Sequence, residues 1–118
     1  MDRYDLPFMA TAEEFFAIDL RVGTVTRAEP FPEARKPSIR LWIDFGPAIG
    51  ERQSSAQLTH HYTPESLVER QIIAAMNLGD RRIAGFVSQV LVLGAMPTPQ
   101  EVVLLEVDRP VHNGTRIG

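Results

Sequence analysis

The chain has 118 residues, a net charge of −3, a 44% hydrophobic content and no cysteine. That length supports one domain with a real core and excludes two; the missing Cys excludes disulfides and thiolate metal sites. No apolar run reaches the roughly 18–20 residues needed to span a bilayer, and the N-terminus lacks a basic-then-apolar signal pattern, so a cytoplasmic protein is expected. The acidic balance argues against an indiscriminate nucleic-acid coat, and any basic surface must be local. Lys36 is the single lysine among twelve cations. Arginine suits phosphate contacts, although a GC-rich genome produces the same bias.

Residues 1–10 read as a loose leader to one domain over 11–118. Thr11-Ala12-Glu13-Glu14 is a capping-box signature that opens a short helix carrying Phe15, Phe16 and Ile18. Leu20 to Ala28 reads as the first strand. Its apolar alternation slips phase around Gly23, which predicts a β-bulge there. A proline-pinned loop over 29–37 follows. Ile39, Leu41, Ile43 and Phe45 then alternate with Ser38, Arg40, Trp42 and Asp44, a strand with one core face and Trp42 on the other.

Arg52 to Leu58 reads as an unusually polar third strand. Thr63 and Pro64 open a single short helix. Gln71 to Asn77 and Val87 to Leu93 are apolar on both faces, as buried strands are, with a basic glycine turn at Arg81-Arg82 to Gly85 between them. Glu101 to Val107 supplies a last strand, and Asn113-Gly114 predicts a type I′ hairpin turn. Five barrel strands with one helix between the third and fourth describe an all-β, five-stranded OB-fold Greek-key barrel with an added N-terminal helix. An SH3-like barrel lacks that helix. Ile39, Leu41, Ile43, Phe45, Ile72, Ala74, Val90 and Val92 are expected to fill the interior, which leaves ligands to the outer face and loops.

Several groups invite a binding role, each beside a plainer one. Arg81 and Arg82 can clamp a phosphate; taken alone they read as a solvated turn that discourages edge pairing. Lys36, with Arg35, Arg40 and Arg52, can form one basic stripe, or each can be ion-paired to Glu33, Asp44 or Glu51. Ser54, Ser55 and Gln57 either satisfy one another or present hydrogen bonds to RNA bases or peptide backbone. Trp42 can stack a base or anchor a dimer interface. Phe31, Phe86 and Met96 can line an apolar groove for peptide, with barrel packing the plainer role for Phe86. Asn77 and Ser88 read as hydrogen-bonding pairs that fix strand register.

His60-His61 with Glu65 hints at a metal, but adjacent strand residues point to opposite faces and no third His or Cys follows at ligand spacing. No metal and no cofactor are expected. Nucleophile elbow, P-loop, dinucleotide and zinc-protease motifs are all missing, and a non-enzyme is the reading.

Asp19-Leu20-Arg21-Val22-Gly23-Thr24-Val25, Phe31-Pro32-Glu33-Ala34-Arg35-Lys36-Pro37 and Gln53-Ser54-Ser55-Ala56-Gln57 resemble the tRNA-binding domain family. Asn77-Leu78, Arg81 through Ser88 and the closing Asn113-Gly114-Thr115-Arg116-Ile117-Gly118 extend the likeness from Phe16 to the C-terminus. The Ile-Asp-Phe-Gly run and the short chain are most similar to its CsaA-type branch of bacterial export-related chaperones. The resemblance implies a homodimeric OB-fold that binds tRNA-like RNA in some members and unfolded or presecretory polypeptide in that branch, with no catalytic residues. It favours a binding role for Arg81-Arg82 and a recognition role for the polar third strand. It also turns Lys36, Arg40, Arg52, Ser54, Ser55, Gln57, Arg81 and Arg82 into candidate RNA contacts. Phe15, Phe16, Phe31, Trp42, Phe86 and Met96 become candidate peptide or dimer contacts. The excess of exposed Phe and Trp predicts a dimer in its own right, because soluble monomers seldom display such patches.

Overall fold

In a computed structural model the chain is described over residues 8–118; residues 1–7 of the expected leader fall outside them. Thr11 caps helix α1 (Ala12–Phe16) through a full capping box with Glu14. Strand β1 (Leu20–Pro30) is shared by both halves of the barrel: Leu20 to Thr24 pairs with β4 (Gln71–Ala75) and Thr24 to Pro30 with β2 (Ile39–Asp44), both antiparallel. The bulge that lets one strand serve two partners lies between Val25 and Arg27, at Thr26, and not at Gly23 as the alternation suggests. Gly23 meets a different need. A Cβ there would lie 2.7 Å from side-chain atoms of Ile43 and Phe45, so the core closes directly over its backbone.

The main sheet has the order β3-β2-β1-β4-β7, with β3 spanning Glu51–Ala56 and β7 Leu91–Val92. It curls until its two edges meet, and this is an all-β OB-fold barrel with helix α2 (Pro64–Leu67) between β3 and β4. Thr63 caps α2 in a box with Ser66, and the completely buried Leu67 plugs the interior. All eight residues assigned to the core from the alternation are buried. No helix among the described residues is long and apolar enough to cross a membrane.

The barrel is not closed by a regular ladder. Gln89 N donates to Gln53 O (2.8 Å), but the neighbouring bonds run through side chains. Gln53 N donates to the Gln89 side-chain oxygen (3.0 Å), Gln53 Nε2 to Val87 O (2.8 Å), Ser54 Oγ to Val90 O (2.8 Å) and Ser55 N to Ser88 Oγ (3.0 Å). The expected single strand from Val87 to Leu93 is therefore two short ones, β6 (Phe86–Ser88) and β7, interrupted where these side chains take over the pairing.

Three further departures bear on the site. Arg81 and Arg82 stand on strand β5 (Arg81–Ile83), paired with Ser88 and Val87, and the turn of that hairpin is Ala84-Gly85, both at positive φ (47° and 83°). Strand β8 (Gly94–Thr98) pairs with β9 (Glu101–Leu104) in a hairpin that Pro97 and Pro99 conceal in the sequence. Asn113-Gly114 makes no I′ hairpin, since only Gly114 has positive φ (91°). The segment instead runs along the free edge of β1, with Val22 N donating to Thr115 O (3.0 Å) and Ile117 N to Leu20 O (2.9 Å).

Candidate functional site

Outside the barrel wall, four segments enclose an open groove of about 830 Å³: the β1–β2 loop, the end of β3, strand β5, and Leu91 to Val102. Each arrives for a local reason. The β1–β2 loop is pinned by Phe31, which is buried, and by Phe31 N donating to Ser38 O (3.2 Å), so Arg35 and Lys36 project from a fixed base. The tight Ala84-Gly85 turn holds the exposed Arg81 and Arg82 on another side of the groove. In β7, Val92 points into the core while its neighbour Leu91 faces outward, half exposed.

Six of the fourteen candidate RNA, peptide or dimer contacts line this groove, Lys36, Ser55, Gln57, Arg81, Arg82 and Met96, and Arg35 joins them. Its rim holds four cations, Arg35, Lys36, Arg81 and Arg82, and one carboxylate, Glu33. Among the described residues none of those cations is ion-paired. The floor is apolar, formed by Leu91, Met96, Ile83 and Val102 over the buried Leu58 and Val92. Cationic groups around an apolar strip can hold a chain that is charged or polar along its backbone and greasy in its side chains.

The other candidates lie elsewhere. Ser54 is 1% exposed and spends its hydroxyl on Val90 O, so it is part of the barrel seam and presents nothing to a ligand. Ser88 belongs to the same seam, and Asn77 clamps α1 by accepting from Asp19 N (2.9 Å) and donating to Ala17 O (2.8 Å). The single basic stripe does not form. Arg52 pairs across from Ile43 and so lies on the core face at the barrel mouth, where its guanidinium donates to Ile49 O (2.8 Å). Arg40, paired with Ser55, is on the opposite face and bound to Glu29 (3.3 Å).

Phe31, Phe86 and Trp42 form a chain of edge-to-face rings on the outer side of β2, with centroids 5.5 and 5.8 Å apart. Two guanidinium groups cover it. Arg40 lies 5.1 Å from the Phe31 centroid and Arg27 lies 4.0 Å from that of Trp42. Glu29 bridges both arginines. Because Phe31 is buried, it cannot line an open peptide groove, and Trp42 already carries a cation on its ring. This is a small second core, stabilised by aromatic and cation–π contacts. Phe15 and Phe16 pack edge-on at 5.2 Å and remain about half exposed, away from the groove lining. Leu91, Ile83 and Val102 were missed: a run apolar on both faces signals burial, and only the broken seam turns Leu91 outward.

The family described as "Putative tRNA binding domain" matches residues 20–116. Among solved structures, the chaperone CsaA of Bacillus anthracis is 53% identical with a TM-score of 0.89, covering 94% of this chain and 100% of that one. A CsaA chaperone from Picrophilus torridus is 42% identical with a TM-score of 0.86, covering 93% and 100%. The methionine–tRNA ligase of Thermotoga maritima is 36% identical over 107 residues, 91% of this chain but only 16% of the ligase. The chain thus spans about one sixth of the length of such curated relatives. With its fold and nearly all of its length matched, the chain belongs to the tRNA-binding domain family.

Proposed function

We propose that the chain is a non-catalytic, CsaA-like chaperone that holds an extended stretch of unfolded or presecretory polypeptide in this groove, in the service of protein export. The apolar floor carries the reading. Leu91 (50% exposed) and Met96 (61% exposed) stand where a soluble surface is otherwise expected to be polar. Among the described residues strand β5 has only β6 as a neighbour, so its other edge offers backbone groups to an added strand. CsaA-type relatives matched over their whole length support the same assignment.

The chain acts in this proposal as a homodimer. Phe15 and Phe16, together with Phe8 (74% exposed) and Met9 (76%), make an apolar surface at the N-terminal end. A stable dimer would bury about 1,600 Å² in total.

A second reading rests on the rim. Four cations on one groove of a chain with net charge −3, none of them ion-paired among the described residues, suit an anion, and the family supports tRNA or another structured RNA as the ligand. Titration of the purified chain with tRNA and with a permanently unfolded polypeptide, each at two salt concentrations, separates the two. RNA affinity falls steeply with salt through counterion release; polypeptide affinity held by apolar contacts does not. Leu91→Glu with Met96→Glu should abolish polypeptide binding. Retained polypeptide affinity in that variant would refute the groove as its site.

A further inference from the structure

We propose that His60, His61 and Glu101 form a binding site for a transition-metal ion, zinc above all. One ligand atom from each residue lies within 4.8 Å of the other two. The sequence argues against such a site because neighbouring residues of a strand point apart. These two are not on a strand. Tyr62 N donates to Leu58 O (3.1 Å), closing a single helical-type turn over Thr59, His60 and His61. Successive side chains of such a turn diverge by roughly 100° and not 180°, and the two rings sit side by side with centroids 4.8 Å apart.

Glu101 comes from the other side, at the start of β9, and its carboxylate already meets His61 Nε2 at 2.6 Å. The same two segments are joined a second time, by Leu104 N donating to the Tyr62 hydroxyl (3.0 Å). The backbone that carries the three ligands is therefore held in place before any ion arrives, as a usable site requires.

The donor set selects the ion. Two imidazoles and one carboxylate suit zinc and its first-row neighbours, whereas magnesium and calcium take oxygen donors throughout. Tetrahedral zinc with bonds of 2.0–2.2 Å places its ligand atoms about 3.3–3.5 Å apart. From 2.6 Å at one pair and up to 4.8 Å at the others, adjustments on the order of 1 Å in exposed side chains reach that geometry. His60 and His61 are exposed, so a fourth position stays open to water. Bound there, the ion ties the β3–α2 loop to the β8–β9 hairpin, which carries Met96 on the groove floor.

Equilibrium titration of the tag-free chain with zinc chloride tests the site. One zinc per chain is expected at micromolar concentration, and the affinity should fall at least about tenfold in both His61→Ala and Glu101→Gln. His112→Ala, which removes the chain's remaining histidine, should leave it unchanged. Cobalt in place of zinc should give the visible absorption of a tetrahedral ion in the parent chain and lose it in Glu101→Gln, whose near-identical shape preserves the fold. Saturating zinc should also raise the Tm of the parent by roughly 5–10 °C and leave Glu101→Gln little changed. Failure to bind zinc at micromolar concentration, or a loss of less than tenfold in either variant, would overturn the proposal. His61 and Glu101 would then share a hydrogen bond and nothing more.

Discussion

Replacing Ser88 by Ala tests whether side chains really close the barrel. Ser88 is 8% exposed; its oxygen accepts from Ser55 N at 3.0 Å, and its hydroxyl lies 3.4 Å from that of Ser54. Alanine removes the acceptor and leaves the Ser55 N–H without a partner at a seam water barely reaches, which costs about 1–3 kcal/mol. Unfolding entropy of roughly 2.1 cal/mol/K per residue amounts to about 0.25 kcal/mol/K for this chain, so a loss of about 2 kcal/mol lowers Tm by about 8 °C. Gln57→Ala is the matched control. Its side chain is exposed in the groove, and such substitutions stay within about ±0.5 kcal/mol, or about 2 °C. Calorimetry of the two variants at one protein concentration reads both values. Equal, small shifts would mean that the seam is held by apolar packing alone and that its polar bonds are incidental.

The other predictions concern the surface and one close contact. If RNA binds the groove, Arg81→Ala with Arg82→Ala should make the salt dependence of its affinity shallower by up to two phosphate contacts, while Tm and polypeptide binding stay put; an unchanged salt slope would remove these two residues from the interface. Phe15→Glu with Phe16→Glu should convert a dimer into a monomer in sedimentation at micromolar concentration, and a parent chain already monomeric there would refute the dimer. Gly23→Ala should cost about 1–3 kcal/mol in denaturant unfolding, because its methyl group would press on Ile43 and Phe45 at 2.7 Å. A neutral result would show that the strand shifts freely at this point.

Elements ruled by periodicity were legible in advance. The alternation from Ile39 to Phe45 marked its inward face correctly, and Thr11 and Thr63 cap the helices their neighbours announce. Features that depend on contacts between distant segments were not. The bulge falls at Thr26 because that is where β1 changes partner from β4 to β2, and nothing within residues 20–30 encodes the length of either partner. Arg40 and Arg52 look alike in sequence but lie on opposite faces of adjoining strands, a separation that depends on the register Ile43 to Arg52 and Arg40 to Ser55. Met96 and a strand starting at Glu101 were legible, but β8 stayed hidden because prolines usually speak against strands, and with its pairing to β9 went Val102 on the groove floor and the approach of the Glu101 carboxylate to His61.

The Gln53 to Gln57 run divides between scaffold and groove. Its likeness to a family motif invites the inference that its polar groups touch a ligand. Here Gln53 and Ser54 bond to Val87 and Val90, and the backbone of Ser55 bonds to Ser88, so most of the run is used in joining the two sheet edges. Such a seam must be polar, because on the side that faces β3 residues 87–90 have no regular ladder, and their backbone groups there would otherwise be buried without partners. Its irregularity has a second effect. Side-chain pairing interrupts the strand at Gln89 and Val90, and β7 then presents Leu91 to the groove while Val92 fills the core. Of the polar side chains in the run, Ser55 and Gln57 are the ones that line the groove. On this reasoning substitutions at Gln53 and Ser54 would weaken binding only by loosening the barrel, and those at Gln57 would weaken it without any loss of stability.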